Sequence, residues 1–324
     1  MPIRRWWTIL IAMALGPPAA SAQAQQAITK VALVKMPYSG ARNVPELSPV
    51  PDYLERGGIA DTLRRMGFTV RPIDEIRLTP EQEDDYGTWH RMAMANGHLA
   101  NIVERNVKEG YLSVGLLANC TSLLGVLGGL QRSETGPPRK VGLVFIDAHG
   151  DFNTPETTLS GMLGGMPVAV AAGMALTNLR LESGLEPALP TGHIVMGALR
   201  DVDPLEQVLL DQSNVETFSV NDIRTVSDNI HAQMQRLSRL TDVIYIHVDM
   251  DVLDPRDVPG HPLTVPNGPT SKELAAALTE MFKYEKVAAF SVASTPAGDR
   301  DPDGVSRRAA YNLIQGALLG VQLR

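Results

Sequence analysis

Two short acidic segments of this 324-residue chain carry residue types that bind divalent metal ions. The first, DAHGD, contains Asp147, His149 and Asp151, and the second, HVDMD, contains Asp249 and Asp251. Alternate residues at the end of an extended strand point to the same side, so the side chains of each segment can converge on one point. Two carboxylates with an imidazole suit Mn, Zn or Fe better than Ca. Taken alone, the first segment could also be an acidic turn that caps a helix.

Each acidic segment directly follows an apolar run that is typical of a buried parallel strand. The two runs are VGLVFI at 141–146 and VIYIHV at 243–248, and such continuous runs are favoured where helices cover both faces of a sheet. Clustered carboxylates repel one another and are costly to bury unless a cation neutralises them. The two strand ends together therefore predict a pair of divalent ions, which could produce a hydroxide nucleophile at neutral pH.

The rest of the chain alternates between apolar strand patterns and helical patterns. Further strands are predicted at 30–34, 68–70, 112–117, 193–196 and 287–292, and helices at 59–66, 89–107, 121–130, 230–240, 271–282 and 307–319. This alternation predicts an α/β protein with a parallel sheet. We see no linker or repeat, so residues 28–324 are expected to form one domain. Ligands of open parallel sheets collect at the carboxyl ends of the strands, where the acidic segments lie.

The composition is that of an ordinary globular protein, with 44% hydrophobic and 20% charged residues and a net charge of −7. The negative charge argues against nucleic acid as a partner, because phosphate binding relies on clustered Lys and Arg.

The amino terminus has the features of an export signal. Arg4 and Arg5 precede an apolar run at 6–15, which is too short for a stable membrane anchor, and Ala20-Ser21-Ala22 fits a cleavage pattern. We predict a signal peptide at 1–22 and a periplasmic or secreted protein, with no membrane contact after the signal is removed. The alternatives are a membrane anchor or a buried helix. The paired arginines hint at the twin-arginine route.

Cys120 is the only cysteine, so the chain cannot form an intramolecular disulfide. An exported protein without disulfides needs another source of stability, such as a large core or bound metal. A lone thiol in an oxidising compartment is open to oxidation unless it is buried or bound to a metal.

The sequence resembles the arginase (ureohydrolase) family over nearly the whole mature chain. The resemblance is carried by DAHGDFNTPETTLSG at 147–161 and HVDMDVLDP at 247–255, and it extends from Pro37 to the closing helix. It implies a three-layer α/β/α fold with a central parallel sheet of about eight strands. It also implies two divalent metal ions, with manganese as the expected metal, and a family that often forms trimers or hexamers.

The resemblance further implies which residues hold the ions. One ion would take Cys120, Asp147, Asp151 and Asp249, and the other Asp147, His149, Asp249 and Asp251. A bridging hydroxide would then attack a guanidinium carbon and release urea or a related amide. We place Asp151, as a metal ligand, in the catalytic set as well.

Cys120 stands where the family usually has a metal-binding histidine. A thiolate can bind Mn, Fe or Zn and favours the softer ions. Because four carboxylates are expected beside this position, we interpret Cys120 as a ligand. The alternative is a buried, inert thiol next to a weak or absent second ion.

Two side chains expected in an arginase are missing. Gly164 stands where the family has a proton-transferring histidine, and the strand end at 290–295 supplies no acid to pair with the guanidinium. His261, in the loop PGHP at 259–262, is predicted to replace the missing general acid. The alternative is a histidine on a surface loop.

Asn153 and Ser160 match the family residues that hold the α-carboxylate of the substrate, which favours a guanidino amino acid over a decarboxylated amine. They could instead only shape their loop. His247, two positions before Asp249, could orient a carboxylate ligand or simply be a buried, hydrogen-bonded histidine.

The leading hypothesis is therefore an exported metal-dependent amidinohydrolase. Its small-molecule substrate would be an arginine-like amino acid, including one with a less basic, N-hydroxylated guanidine. One alternative is a metal- or ligand-binding homologue without catalysis. Another is hydrolysis of a formimidoyl or ureido amino acid by the same metals.

Overall fold

The computed structural model describes residues 29–39, 48–85 and 87–324. The predicted signal peptide at 1–22 lies outside these residues and stays a prediction. The described strands are β1 Lys30–Met36, β2 Thr69–Val70, β3 Asp74–Glu75, β4 Leu112–Leu117, β5 Val141–Ile146, β6 Ile194–Gly197, β7 Glu216–Phe218, β8 Val243–Asp249 and β9 Val287–Ala293. The described helices are α1 Val50–Arg56, α2 Ile59–Arg65, α3 Pro80–Glu83, α4 Thr88–Lys108, α5 Leu123–Gln131, α6 Pro167–Ala171, α7 Thr177–Glu182, α8 Pro204–Asp211, α9 Val220–Thr225, α10 Asp228–Leu240, α11 Ser271–Met281 and α12 Val305–Gln322.

The strands form a single parallel sheet in the order β2-β1-β4-β9-β8-β5-β6-β7, and the short β3 pairs with β1. The prediction of a central parallel sheet of about eight strands is confirmed: eight lie along this path and β3 is additional. The predicted strand at 193–196 is shifted by one residue, to Ile194–Gly197. Several short elements, among them β7 and α6, were not predicted because they have too few residues to show a periodic pattern.

Helices cover both faces of the sheet, and the strand residues alternate between the two cores. In β5, Val144 and Ile146 belong to the core under α1, α2 and α9–α12, whereas Leu143 and Phe145 belong to the core under α4–α7. Strands buried on both faces must be apolar along their whole length, which explains the continuous runs in the sequence. The three-layer α/β/α architecture is thereby confirmed.

The candidate site lies where the chain leaves five adjacent strands. Cys120 follows β4, Asp147 follows β5, Asp201 follows β6, Asp249 ends β8 and Ser294 follows β9. Parallel strands present all their carboxyl ends at one edge, so the sheet order β4-β9-β8-β5-β6 brings these residues together. Among the described residues, no helix is long and apolar enough to cross a bilayer.

Candidate metal centre

The first acidic segment forms a tight turn over the end of β5. Asp147 is buried, and its Oδ1 accepts a hydrogen bond from the backbone N–H of His149 at 2.8 Å. The His149 ring lies between two carboxylates, with Nδ1 3.4 Å from Asp147 Oδ1 and 3.1 Å from Asp251 Oδ2. These hydrogen bonds and charges raise the pKa of His149 to about 11 despite its burial. The imidazole therefore belongs to both acidic segments.

A backbone hydrogen bond fixes the position of Asp151, and its carboxylate is buried among other carboxylates. Its φ of 48° lies in the left-handed region, which Asp tolerates better than most residues. Its carbonyl oxygen accepts the backbone N–H of Val168, in the first turn of α6, at 3.0 Å. Burial and the charges of Asp147 and Asp249 raise the pKa of the Asp151 carboxyl well above its ordinary value. The fold thus places this carboxylate in a site that disfavours its charge.

Asp249 is the hydrogen-bonding centre of the second segment. Its Oδ1 accepts the backbone N–H of Asp251 at 3.0 Å, and its Oδ2 accepts the Ser294 hydroxyl at 2.6 Å. The same Oδ2 lies 2.7 Å from Cys120 Sγ. The carboxylate therefore joins the ends of β8, β9 and β4.

The donor set fits divalent metal ions. Ligand atoms of Cys120, Asp147 and Asp151 lie within 4.8 Å of one another, as do those of Asp147, His149 and Asp251. These two groups are subsets of the two predicted ligand sets. Asp251 Oδ1 is buried without a hydrogen-bond partner among the described residues, and burial with nearby carboxylates raises the pKa of Asp251. A buried oxygen with no donor and a carboxylate cluster with excess charge both call for a cation. The structure thus brings all six predicted ligands together, and metal binding by them stays a prediction.

Cys120 is buried in the same cluster, with 2% of its surface exposed. Its Sγ lies between Asp249 Oδ2 and His247 Nε2, the latter at 3.1 Å. Burial and the nearby carboxylates raise the pKa of the thiol well above its ordinary value. An anionic sulfur would therefore need a cation beside it, as the carboxylates do.

His261 faces the acidic cluster, although its loop is remote in sequence. Its side chain is 5% exposed, and Nε2 lies 3.9 Å from Asp249 Oδ1. The alternative of a histidine on a surface loop does not describe this position. The backbone N–H of Leu263 donates to Nδ1 at 3.2 Å, so a neutral ring carries its proton on Nε2. Asp249, Asp251 and His261 could also group around an ion, but a protonated Nε2 is a donor and cannot bind a metal.

The two predicted substrate-binding residues line the same cavity, which measures about 310 Å³. Asn153 is buried, donates to Asp203 Oδ2 at 3.1 Å and accepts from Thr157 Oγ1 at 2.9 Å. Ser160 is exposed, and its hydroxyl accepts the backbone N–H of Met162 at 3.2 Å. Both residues therefore make contacts that shape the loop, and both border the cavity. Either interpretation of their role is compatible with these contacts.

Three acidic residues of the cavity were not predicted: Asp201, Asp203 and Glu206. They follow β6 in the segment RDVDPLE, which is a third acidic strand end. The same criterion that identified Asp147 and Asp249 could have found them. Seven carboxylates line the cavity, and its lining residues include no Lys or Arg. The cavity therefore favours cations.

Glu206 fastens the first acidic segment to α8. Its Oε1 accepts the backbone N–H of Phe152 at 2.7 Å, and its Oε2 accepts that of Asp203 at 3.1 Å. Gly150 packs so closely that a Cβ there would lie 2.6 Å from Glu206 Oε1. The buried carboxylate thus positions the turn that carries Asp151.

Replacing Glu206 is expected to loosen this turn. Glu206→Ala leaves two backbone donors without their acceptor, at about 1–3 kcal/mol each. We expect the free energy of unfolding to fall by roughly 2–6 kcal/mol, measured by chemical denaturation. Glu216→Ala, on the exposed part of β7, is the matched control and should change stability by less than about 0.5 kcal/mol. Equal stability of the two variants would contradict the positioning role.

A parallel α/β fold that gathers carboxylates, imidazoles and a thiol at its strand ends has the donor set that a metal-dependent hydrolase needs. Comparison with known proteins narrows the class. The model of the arginase family matches residues 31–320, and the chain belongs to this family. Its homologues are metal-dependent ureohydrolases, which places the protein among these enzymes.

Individual relatives are distant in sequence and close in fold. The mitochondrial arginase-2 of Homo sapiens is 28% identical over 262 residues, which cover 77% of this chain and 72% of that protein. The arginase structure from Bacillus caldovelox has a TM-score of 0.76 at 23% identity, covering 90% of this chain and 98% of that one. Formimidoylglutamase from Bacillus subtilis has a TM-score of 0.70 at 19% identity, covering 92% and 88%. The two structures support the fold alone.

Proposed function

We propose that the protein is an exported amidinohydrolase that uses two divalent metal ions, with manganese as the expected metal, to cleave a C–N bond of a guanidino amino acid. The observation that carries this proposal is the set of four buried aspartates. The residues that line the cavity include no Lys or Arg that could neutralise their negative charge. A protein that only binds a ligand has little need for such a cluster, because burying it without a cation is costly.

The proposed ligand sets are those that the family resemblance implies, and each of the first two clusters described above contains three residues of one set. Cys120, Asp147, Asp151 and Asp249 would hold one ion, and Asp147, His149, Asp249 and Asp251 the other. When bound, the two ions would supply a hydroxide at neutral pH. Asp151 counts as catalytic because it would contact an ion.

The chain's own residues would bind the substrate and move a proton. The acid-lined cavity attracts a guanidinium and an ammonium group, and Asn153 and Ser160, which border it, would hold the substrate's carboxylate as the family resemblance implies. The neutral His261 ring carries its proton on Nε2 near the cluster and can donate a hydrogen bond to the leaving amine; to transfer a proton as the general acid predicted from the sequence, the ring would first bind a second proton on Nδ1 in place of the Leu263 contact.

The absence of two side chains expected in an arginase narrows the range of suitable substrates. β9 ends at Ala293, and neither Ser294 nor Thr295 offers an acid to the guanidinium. Gly164 lines the cavity beside Asn119 and has no proton to transfer. A less basic guanidine, such as an N-hydroxylated one, needs these groups less. A ureido group is uncharged and needs them less too, and hydrolysis of a formimidoyl or ureido amino acid is the second candidate.

One preparation tests these candidates. The full chain is expressed with its own leader in the presence of Mn²⁺, its metal content is measured, and guanidino, hydroxyguanidino, formimidoyl and ureido amino acids are tested as substrates. We expect two ions per chain and release of urea or hydroxyurea. Formamide or ammonia as the product would favour the second candidate. Two bound ions without turnover of any compound would indicate a metal- or ligand-binding protein without catalysis.

Export and assembly are part of the same proposal. Amino-terminal sequencing of the purified protein is expected to show cleavage after Ala22, and cell fractionation to place it in the periplasm or medium. An intact amino terminus in the cytoplasm would contradict export. Light scattering is expected to give the mass of a trimer or hexamer, and a monomer's mass would exclude both.

A further inference from the structure

Beneath Cys120, a chain of buried polar side chains connects β8 with β9. Tyr245 and His247 lie on the same face of β8, and Ser291 is the β9 residue paired with His247. His247 Nδ1 is 2.9 Å from the Tyr245 hydroxyl and 2.8 Å from the Ser291 hydroxyl, which also contact each other. On the other side of the ring, Nε2 is 3.1 Å from Cys120 Sγ. All four side chains are buried.

The protons of this network can be assigned by counting donors and acceptors. If Nδ1 accepts from Ser291, the Tyr245 hydroxyl can donate to Ser291 Oγ, and each hydroxyl proton has a partner. If Nδ1 donated instead, one hydroxyl proton would have no acceptor among the described contacts of the network. A buried unsatisfied donor costs about 1–3 kcal/mol. The count therefore places the ring proton on Nε2, facing the sulfur.

The ring itself is firmly held. Phe145 stacks on His247 with the ring centroids 5.3 Å apart and the planes 7° from parallel. Nε2 can thus take few other positions.

We infer that His247 is a positioning residue for Cys120 as a metal ligand: its Nε2–H donates to the thiolate, aims Sγ at the ion and weakens electron donation from sulfur to metal. The inference rests on the proposed function, because Cys120 must bind an ion. His247 is the buried, hydrogen-bonded histidine that one interpretation of the sequence described, and its Nε2 faces the sulfur of Cys120 instead of a carboxylate. The unpartnered, buried Asp251 Oδ1 in the same cluster points independently to a cation there.

Hydrogen bonds to metal ligands have measurable consequences. Such partners fix the orientation of the ligand, and their loss lowers metal affinity by roughly 10- to 100-fold. A hydrogen bond to a thiolate also stabilises its lone pairs, so the sulfur-to-metal charge-transfer band lies at higher energy.

The hydrogen bond from His247 to the Cys120 sulfur can be tested by spectroscopy of the full chain loaded with Co²⁺, and this measurement does not depend on enzyme activity. We expect a near-ultraviolet sulfur-to-Co²⁺ band that disappears in Cys120→Ser. In His247→Phe the band should move to lower energy, and Co²⁺ affinity, measured by chelator competition, should fall roughly 10- to 100-fold. His247→Gln keeps an N–H donor and should restore part of both. Ser291→Ala, which removes the proton that fixes the tautomer, should give an intermediate shift.

The outcomes separate the inference from the proposed function. An unchanged band in Ser291→Ala, and in His247→Phe where it folds, would overturn the inference. The absence of a Cys120-dependent band in the wild-type protein would overturn it too, because the thiol would not be a ligand. An intact, His247-dependent band in a protein without hydrolytic activity would leave the inference standing and overturn only the proposed function.

Discussion

Asp249→Ala is expected to reduce turnover by roughly 10³-fold or more, equivalent to about 4 kcal/mol of transition-state stabilisation. Asp249 belongs to both proposed ligand sets, and its carboxylate contacts Cys120, Ser294 and the backbone of Asp251. Its loss therefore removes a ligand from both ions and loosens the ends of three strands. Metal analysis of the purified variant should show fewer than two ions per chain.

The loss of activity should not result from unfolding. Asp249 is among the charges that raise the pKa of Asp151 and of Asp251, so its removal relieves repulsion in the ion-free protein. This gain offsets the lost hydrogen bonds, and we expect the thermal midpoint without metal to stay within a few degrees of the wild type. Asp299→Ala, in an exposed turn, is the matched control. Activity within tenfold of the wild type in Asp249→Ala would rule out the proposed centre.

His261→Ala is expected to lower kcat roughly 10²-fold, about 2.7 kcal/mol, while the protein keeps both ions. The reason is the tautomer: the Leu263 N–H donates to Nδ1, so the ring proton is on Nε2, which lies 3.9 Å from Asp249 Oδ1 and can donate a hydrogen bond to the leaving amine. A residue that donates a proton affects turnover, whereas a ligand affects metal content. Steady-state kinetics at saturating Mn²⁺ and metal analysis of the same sample measure both quantities.

The control for His261 is His231→Ala, on α10 outside the cavity, where the ring contacts Tyr284. We expect its kcat to be unchanged. If His261→Ala lost an ion and recovered full activity at high Mn²⁺, His261 would be a ligand grouped with Asp249 and Asp251. If kcat were unchanged at every Mn²⁺ concentration, His261 would have neither role.

Much of the centre could be predicted because its pattern is local. An apolar run of six residues followed by acids at alternate positions already identifies a buried strand with a polar carboxyl end, as at Asp147 and Asp249. Parallel pairing then brings these ends together, since every strand of such a sheet points the same way. Asp201 and Asp203 follow β6 at the same alternate spacing, so no tertiary information is needed to find them.

Other features depend on contacts between residues far apart in the chain. His247 and Cys120 are 127 positions apart, and only the strand order β4-β9-β8 brings the ring nitrogen to the sulfur. Whether His261 faces solvent or the cluster depends on how the loop at 250–270 folds back. There Gly260 packs against the backbone of Arg300, with no room for a Cβ.

The amino-acid sequence by itself determined the parallel α/β architecture, the family and the set of carboxylates, because hydrophobic periodicity and the residues at strand ends are encoded over a few positions. The tertiary structure decided what those carboxylates have as neighbours. It placed the ring of a loop histidine 3.9 Å from Asp249, and it brought the ring of a strand histidine within hydrogen-bonding distance of Cys120. The physical reason is that hydrogen-bond direction and burial arise from packing between segments, which no local pattern specifies.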